Sequence, residues 1–168
     1  MAAEVSGLLG SPEATIALGA ALGAQLNDPL VIALVGEMGS GKTTFVRGLA
    51  SGLGVTEVVN SPTYALMQRY EGRLRLDHYD AWMEGREREV LADGAHELLG
   101  LEGVSVIEWA DQVRDFLPDG HLRVHMVLTS QTERRITAQW VGVGITGQGQ
   151  RCLDSILAGV VPESTSAG

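Results

Sequence analysis

The apolar residues of this chain fall into short blocks whose spacing changes along its length. Leu30-Val31-Ile32-Ala33-Leu34-Val35 is an unbroken apolar run, the pattern of a strand buried on both faces. Before it, Ser11-Pro12-Glu13 opens a helix with a capping serine, a proline at the first helical position and an acid in the first turn. Ile16, Leu18, Leu22 and Leu26 are its expected apolar positions, as far as Asn27, and Asp28-Pro29 makes a turn. Thr44 to Leu53 reads as a second helix, ending near Gly52-Leu53-Gly54. Tyr64 to Tyr70 and Arg73 to Tyr79 flank Glu71-Gly72 as an antiparallel hairpin. Gly85 to Leu99 is polar and predicted helical in two pieces, broken near Asp93-Gly94. Val104 to Ile107 is a short buried strand that stops at Glu108-Trp109. Leu122 to Thr129 alternates and Arg134 to Val141 is extended, with Ser130 to Glu133 joining them as a second hairpin. Gly142 to Gly149 links to a short final helix near Leu153 to Leu157, and Glu163 to Gly168 is expected to be disordered.

This pattern predicts one domain over 1–145 with a C-terminal extension at 146–168, partly disordered. At 168 residues, 45% of them apolar, the chain can bury a substantial core. No apolar run reaches the length of a membrane span, and Met1-Ala2-Ala3-Glu4 lacks the features of a signal peptide, so a cytoplasmic enzyme is expected. A lone cysteine, Cys152, excludes an internal disulfide and a cysteine-cluster metal site. The net charge of −9 argues against nucleic-acid binding by this chain alone, because phosphate backbones reward clustered Lys and Arg. The richest basic cluster, Arg69, Arg73 and Arg75, is short and faces nearby acids.

Between the apolar run and the second helix stands Gly36-Glu37-Met38-Gly39-Ser40-Gly41-Lys42-Thr43. It fits G-x-x-x-x-G-K-[ST] at every fixed position, followed by Thr44. Strand, glycine loop and helix together make a phosphate cradle. The loop N–H groups and the helix N-terminus attract phosphates, Lys42 reaches the β/γ-phosphates, and the Thr43 hydroxyl ligates Mg2+. No Asn-Lys-x-Asp reads guanine and no Asp-x-x-Gly marks a second GTPase switch, so ATP is expected over GTP.

Such a cradle needs acids at the carboxyl ends of neighbouring strands. Glu108 qualifies because an apolar strand ends directly in it. Asp80 is the second, sharing the strand parity of Leu74, Leu76 and His78, with Asp77 and Tyr79 on the opposite face. For Glu108 the alternative is a solvated acid at a strand end; for His78, a buried histidine bonded to a neighbouring carboxylate. Thr63, in Ser61-Pro62-Thr63, occupies the loop position where many such proteins place a γ-phosphate sensor. Trp109 is either core or a nucleotide or partner contact. Arg47 is a candidate for an intrinsic cation.

The set Gly36–Thr43 with Thr44-Phe45, Ser61-Pro62-Thr63-Tyr64, His78-Tyr79-Asp80 and Ile107-Glu108-Trp109 resembles the TsaE (YjeE) family, in order from about Ser11 to Trp140. The resemblance implies an α/β, P-loop NTPase-like three-layer fold with a mixed parallel and antiparallel sheet. It implies slow Mg2+-dependent ATP hydrolysis, acting on a TsaB–TsaD complex that transfers a threonylcarbamoyl group to a tRNA adenosine. The partners implied are TsaD-like and TsaB-like proteins, with tRNA reached only through them. By motif match, Thr63 takes the switch position, Asp80 and Glu108 the acidic positions at metal and attacking water, and Trp109 the adjoining aromatic. The chain departs from the family after Asp80, where Asp-x-Tyr-Arg becomes Asp80-Ala81-Trp82-Met83. A small-molecule kinase and a nucleotide-responsive binding protein are the alternatives; the former would need lid cations that the sequence lacks.

Overall fold

The computed structural model describes residues 3–62, 65–82, 89–92 and 94–164. It is an α/β protein whose elements run β1 (Glu4–Leu9), α1 (Pro12–Gln25), β2 (Leu30–Val35), α2 (Lys42–Gly52), β3 (Met67–Tyr70), β4 (Arg75–Asp80), β5 (Gly103–Glu108), β6 (His121–Leu128), β7 (Arg134–Val141) and α3 (Gly147–Gly159). Short 3-10 turns cover Glu89–Leu91, Ala95–Leu98 and Ala110–Phe116. The strands form one mixed sheet in the order β1-β7-β6-β2-β5-β4-β3. β2 is parallel to β5 and β6, and β4 is parallel to β5. The pairs β1–β7, β6–β7 and β3–β4 are antiparallel.

β2 is apolar throughout because it is buried on both faces. Leu30, Ile32 and Leu34 enter the core under the helices. Val31 and Ala33 enter a second core with Tyr79, Ile107, Leu91, Ala110 and Val113. The fold is P-loop NTPase-like, and among the described residues the layer over that second face is built of 3-10 turns. The predicted helical pieces of 85–99 are such turns where described; 83–88 and Asp93 lie outside the described residues.

The first helix starts as its sequence predicts, with Ser11 Oγ accepting from the Ala14 N–H at 3.1 Å. Its packing face follows Leu18, Leu22 and Leu26 as expected, but not Ile16. Ile16 is exposed, while Leu18, Gly19, Leu22 and Gly23 are buried. The reason is close backbone contact with α2. A Cβ added to Gly48 would stand 2.2 Å from the Ile16 carbonyl oxygen, and one at Gly19 would stand 2.5 Å from that of Phe45. Of the basic cluster, Arg69 and Arg75 pair with Asp77, as expected. Arg73 instead donates to the Leu26 and Gly23 carbonyls at the end of α1.

At the chain ends the structure adds one strand and lengthens one helix. β1 pairs along its whole length with β7. The final helix begins at Gly147, not near Leu153, and buries Cys152, Leu153 and Ile156. Thr146 caps it, accepting from the Gly149 N–H, and the buried Gln148 side chain bonds the backbone of Asn27, Asp28 and Pro29. Tertiary contacts thus overcome the poor helix propensity of Gly-Gln-Gly-Gln. Glu163 pairs with Arg135, and 165–168 lie outside the described residues. Among the described residues no helix is long and apolar enough to cross a membrane.

Candidate active site

The sheet delivers two acids to the start of α2. Strand alternation puts Leu76, His78 and Asp80 on one face of β4, and Val104, Val106 and Glu108 on the same face of β5. That is the helix-covered face. Asp80 and Glu108 are register partners at the carboxyl ends of their strands, so Asp80 closes β4 and does not lie beyond it. Both carboxylates are buried, each only 3% exposed, which removes the solvated-acid alternative for Glu108.

Glu108 is held by two partners. Thr43 Oγ1, in the first turn of α2, donates to Oε1 at 2.9 Å and reaches Oε2 at 3.2 Å. His78 Nε2 lies 2.9 Å from the same Oε1. The histidine is therefore the buried partner of a neighbouring carboxylate, and its Nδ1 has no partner among the described residues. Asp80 accepts from Ser61 Oγ at 2.5 Å and from the Trp82 N–H at 2.9 Å. Thr63, the expected switch residue, lies outside the described residues, as do Tyr64 and Met83.

The glycine loop turns through a left-handed backbone at Gly41 (φ 103°), the residue that caps α2. Lys42 is buried, and its ammonium donates to the Gly36 and Glu37 carbonyls at 2.6 and 2.9 Å. Nζ also sits 4.1 Å from the centre of the Trp109 ring, within cation–π range. Burial pulls the ammonium below the usual lysine range, against the opposing pull of Glu108, Asp111, Asp80 and Glu37. Trp109 is half-buried and takes a left-handed backbone (φ 58°, ψ 38°), a strained conformation for a bulky residue. That turn carries the chain away from β5 and sets the indole under Lys42.

Lys42, Thr43, Asp80 and Glu108 line a cleft of about 410 Å³ that also takes in Ser61, Trp82 and Trp109. Met38, Gly39, Gly41 and Thr44 border it from the loop and α2, and Arg134 from β7. The other loop members, Gly36, Glu37 and Ser40, serve Lys42: two carbonyls and, at 3.4 Å, the Ser40 hydroxyl. Thr43 and Glu108 offer the hard oxygen donors that Mg2+ takes. Among the described residues no cluster of three or more His, Cys, Asp or Glu forms a metal cage. An Mg2+ ion there would draw its remaining ligands from phosphates and water, its usual habit.

This constellation has counterparts. The family model described as "Threonylcarbamoyl adenosine biosynthesis protein TsaE" matches residues 9–136. The chain belongs to the TsaE family. A Bacillus subtilis (strain 168) relative, named tRNA threonylcarbamoyladenosine biosynthesis protein TsaE, is 38% identical over 133 residues, covering 79% of this chain and 83% of that protein. A Treponema pallidum (strain Nichols) relative of the same name is 36% identical over 127 residues, 76% of this chain and 94% of that protein. The crystal structure of Bacillus subtilis YdiB superposes with a TM-score of 0.73 at 28% identity, covering 93% of this chain and 95% of that one.

Measured against the TsaE pattern, three residues of the cleft were not legible beforehand. Ser61, a described member of its motif, donates to Asp80. Trp82, which stands where the family has tyrosine, lines the cleft with 44% of its surface exposed. Arg134 approaches the loop from β7, donating to the Gly39 carbonyl at 3.2 Å. Its distance in sequence from any motif hid it; only the pairing of β7 with β6, beside the loop strand, brings it in.

Proposed function

We propose that the protein is a Mg2+-dependent ATPase that serves tRNA threonylcarbamoyladenosine biosynthesis, acting with TsaB-like and TsaD-like proteins on threonylcarbamoyl transfer to a tRNA adenosine. The observation that carries this reading is the meeting of the Thr43 hydroxyl, the buried Glu108 carboxylate and the Lys42 ammonium at the N-terminus of α2. Membership of the TsaE family supports the pathway.

The loop N–H groups and the start of α2 hold the phosphates. Lys42 exchanges its loop carbonyls for β/γ-phosphate oxygens and meets the charge that grows there in the transition state. Thr43 and Glu108 would hold Mg2+, which neutralises phosphate charge when bound. His78 fixes the rotamer of Glu108 from behind. Asp80, oriented by Ser61 and the Trp82 N–H, places the attacking water, with Thr63 as the γ-phosphate switch by family resemblance. Arg47 is tied to the Val59 carbonyl at 3.0 Å, so it does not serve as a free cation at the reacting end. A transition-state cation supplied by a partner fits this arrangement. The activity is cytoplasmic, where tRNA is modified, and contact with tRNA runs through the partners.

Phosphate release from MgATP tests the proposal. Turnover should be slow for the chain alone and rise when TsaB-like and TsaD-like proteins of the same cell are added. Fast hydrolysis indifferent to those proteins would sink the partner model.

A further inference from the structure

We infer that Arg134 is the platform on which the nucleotide base stacks, and that the β6–β7 hairpin is the base-binding edge of the cleft. The inference rests on the ATPase reading above and extends it to the end of the ligand that the motif does not describe.

Sheet order fixes the direction. β5 and β4, which carry Glu108 and Asp80, lie on one side of the loop strand β2; β6 and β7 lie on the other. A triphosphate whose γ-end is at Thr43 and Glu108 therefore sends its nucleoside toward β6 and β7. β7 is two strands from β2, roughly 10 Å at backbone spacing. Arg134, its first residue, stands there. A Cβ added to Gly41 would find Arg134 Nε 3.6 Å away and Thr15 Cγ2 3.9 Å away, so both flank the loop's last glycine.

The side chain is held like a platform and not like an ion-pair partner. Nη1 donates to the Gln131 carbonyl and Nη2 to the Gly39 carbonyl, each at 3.2 Å. Among the described residues it has no carboxylate partner. N–H bonds lie in the guanidinium plane, so two backbone acceptors at its edge fix that plane and leave its faces as the surface offered to a flat ring. The planar guanidinium of arginine lies flat on aromatic planes, whereas a lysine ammonium meets them only as a point charge. The surroundings suit a base as well. Met38 is 67% exposed and Pro12 is exposed, apolar groups at the same cleft that folding leaves in water. Gly39 and Arg134 also border a second groove, of about 460 Å³, running along the hairpin from Leu128 to Gln131, which gives a purine room beyond the loop.

Calorimetric binding of MgATP and of magnesium tripolyphosphate, which has phosphates and no base, tests this on the full chain and on Arg134→Ala and Arg134→Lys. Base stacking by arginine predicts that both variants lose roughly tenfold in ATP affinity, within the range for a stacked base. Tripolyphosphate affinity should stay at the wild-type level in all three. Arg134→Lys keeps the charge and the fold, so it carries the test even if the alanine variant melts early. Unchanged ATP affinity in the variants, an equal loss for tripolyphosphate, or full rescue by lysine would overturn the assignment, the last two marking Arg134 as a phosphate cation. In those cases the ATPase reading survives. Wild-type chain that binds neither ligand would remove both.

Discussion

The Thr43 hydroxyl donates to Glu108 Oε1 at 2.9 Å, joining the first turn of α2 to the last residue of β5. A residue of the first helical turn and a strand-end acid 65 positions apart thus share one bond at the place where a metal-bound triphosphate would lie. Glu108→Gln keeps the size of the side chain and removes the anion. ATP should still bind within about tenfold of wild type, a cost of roughly 1.4 kcal/mol or less, because the loop N–H groups and Lys42 are untouched. Turnover should fall by 10- to 100-fold, roughly the effect of losing a group that arranges a metal site. Asp80→Asn should behave alike. Calorimetry beside single-turnover hydrolysis separates the two effects; normal hydrolysis in both variants would mean that the acids of the site lie elsewhere.

The α1–α2 contact makes a second prediction. A methyl at Gly48 would meet the Ile16 carbonyl oxygen at 2.2 Å, and backbone cannot rotate aside as a side chain can. Gly48→Ala should cost about 1–3 kcal/mol or more, the usual penalty of overpacking. It should also weaken ATP binding, because α2 carries Lys42 and Thr43. At Gly10 an added Cβ meets nothing within 4 Å, so Gly10→Ala should stay within about 0.5 kcal/mol. Thermal melts and nucleotide titration of the pair check this; equal stability would show that the helices separate without cost.

A third prediction concerns pH. Cys152 lies on the buried face of α3, and burial pushes its thiol up to about 12 from 9.0. The folded state thus holds the proton more tightly than the unfolded chain. The stability this contributes is complete below pH 9 and is lost as pH rises from there toward 12, up to about 4 kcal/mol. Cys152→Ala should lack this component, so denaturant-derived stabilities of wild type and variant should diverge above pH 9, wild type falling more steeply. Parallel curves would contradict it. The native thiol should also resist iodoacetamide until the chain unfolds, because the thiolate is the nucleophile.

What could be read in advance divides along physical lines. The loop from Gly36 to Thr43 and the acids Glu108 and Asp80 were legible because each rests on a short-range pattern: fixed motif spacing, an apolar run ending in an acid, the parity of a strand. β1 and the first turns of α3 were not, because their stability comes from partners more than 100 residues away, β7 for one and the Asn27–Pro29 backbone for the other. The packing face of α1 was legible at Leu18, Leu22 and Leu26 and misread only at Ile16, because apolar periodicity scores large side chains, while glycines also make the contact with α2. Ser61 and Arg134 were missed for different reasons. A serine before a proline is an ordinary turn until Asp80 is seen beside it, and an arginine opening a hairpin strand carries no signal of its own.

We propose that ATP turnover at this loop drives tRNA modification. The most direct measurement is the yield of threonylcarbamoyladenosine in tRNA, by mass spectrometry, from TsaB-like and TsaD-like proteins supplied with MgATP and a threonylcarbamoyl donor. Two reactions are compared, one with wild-type chain and one with Lys42→Ala, whose fold is checked by circular dichroism. Repeated rounds of modification with wild type, and none beyond background with the Lys42→Ala variant, are predicted; equal yields from both would contradict the account.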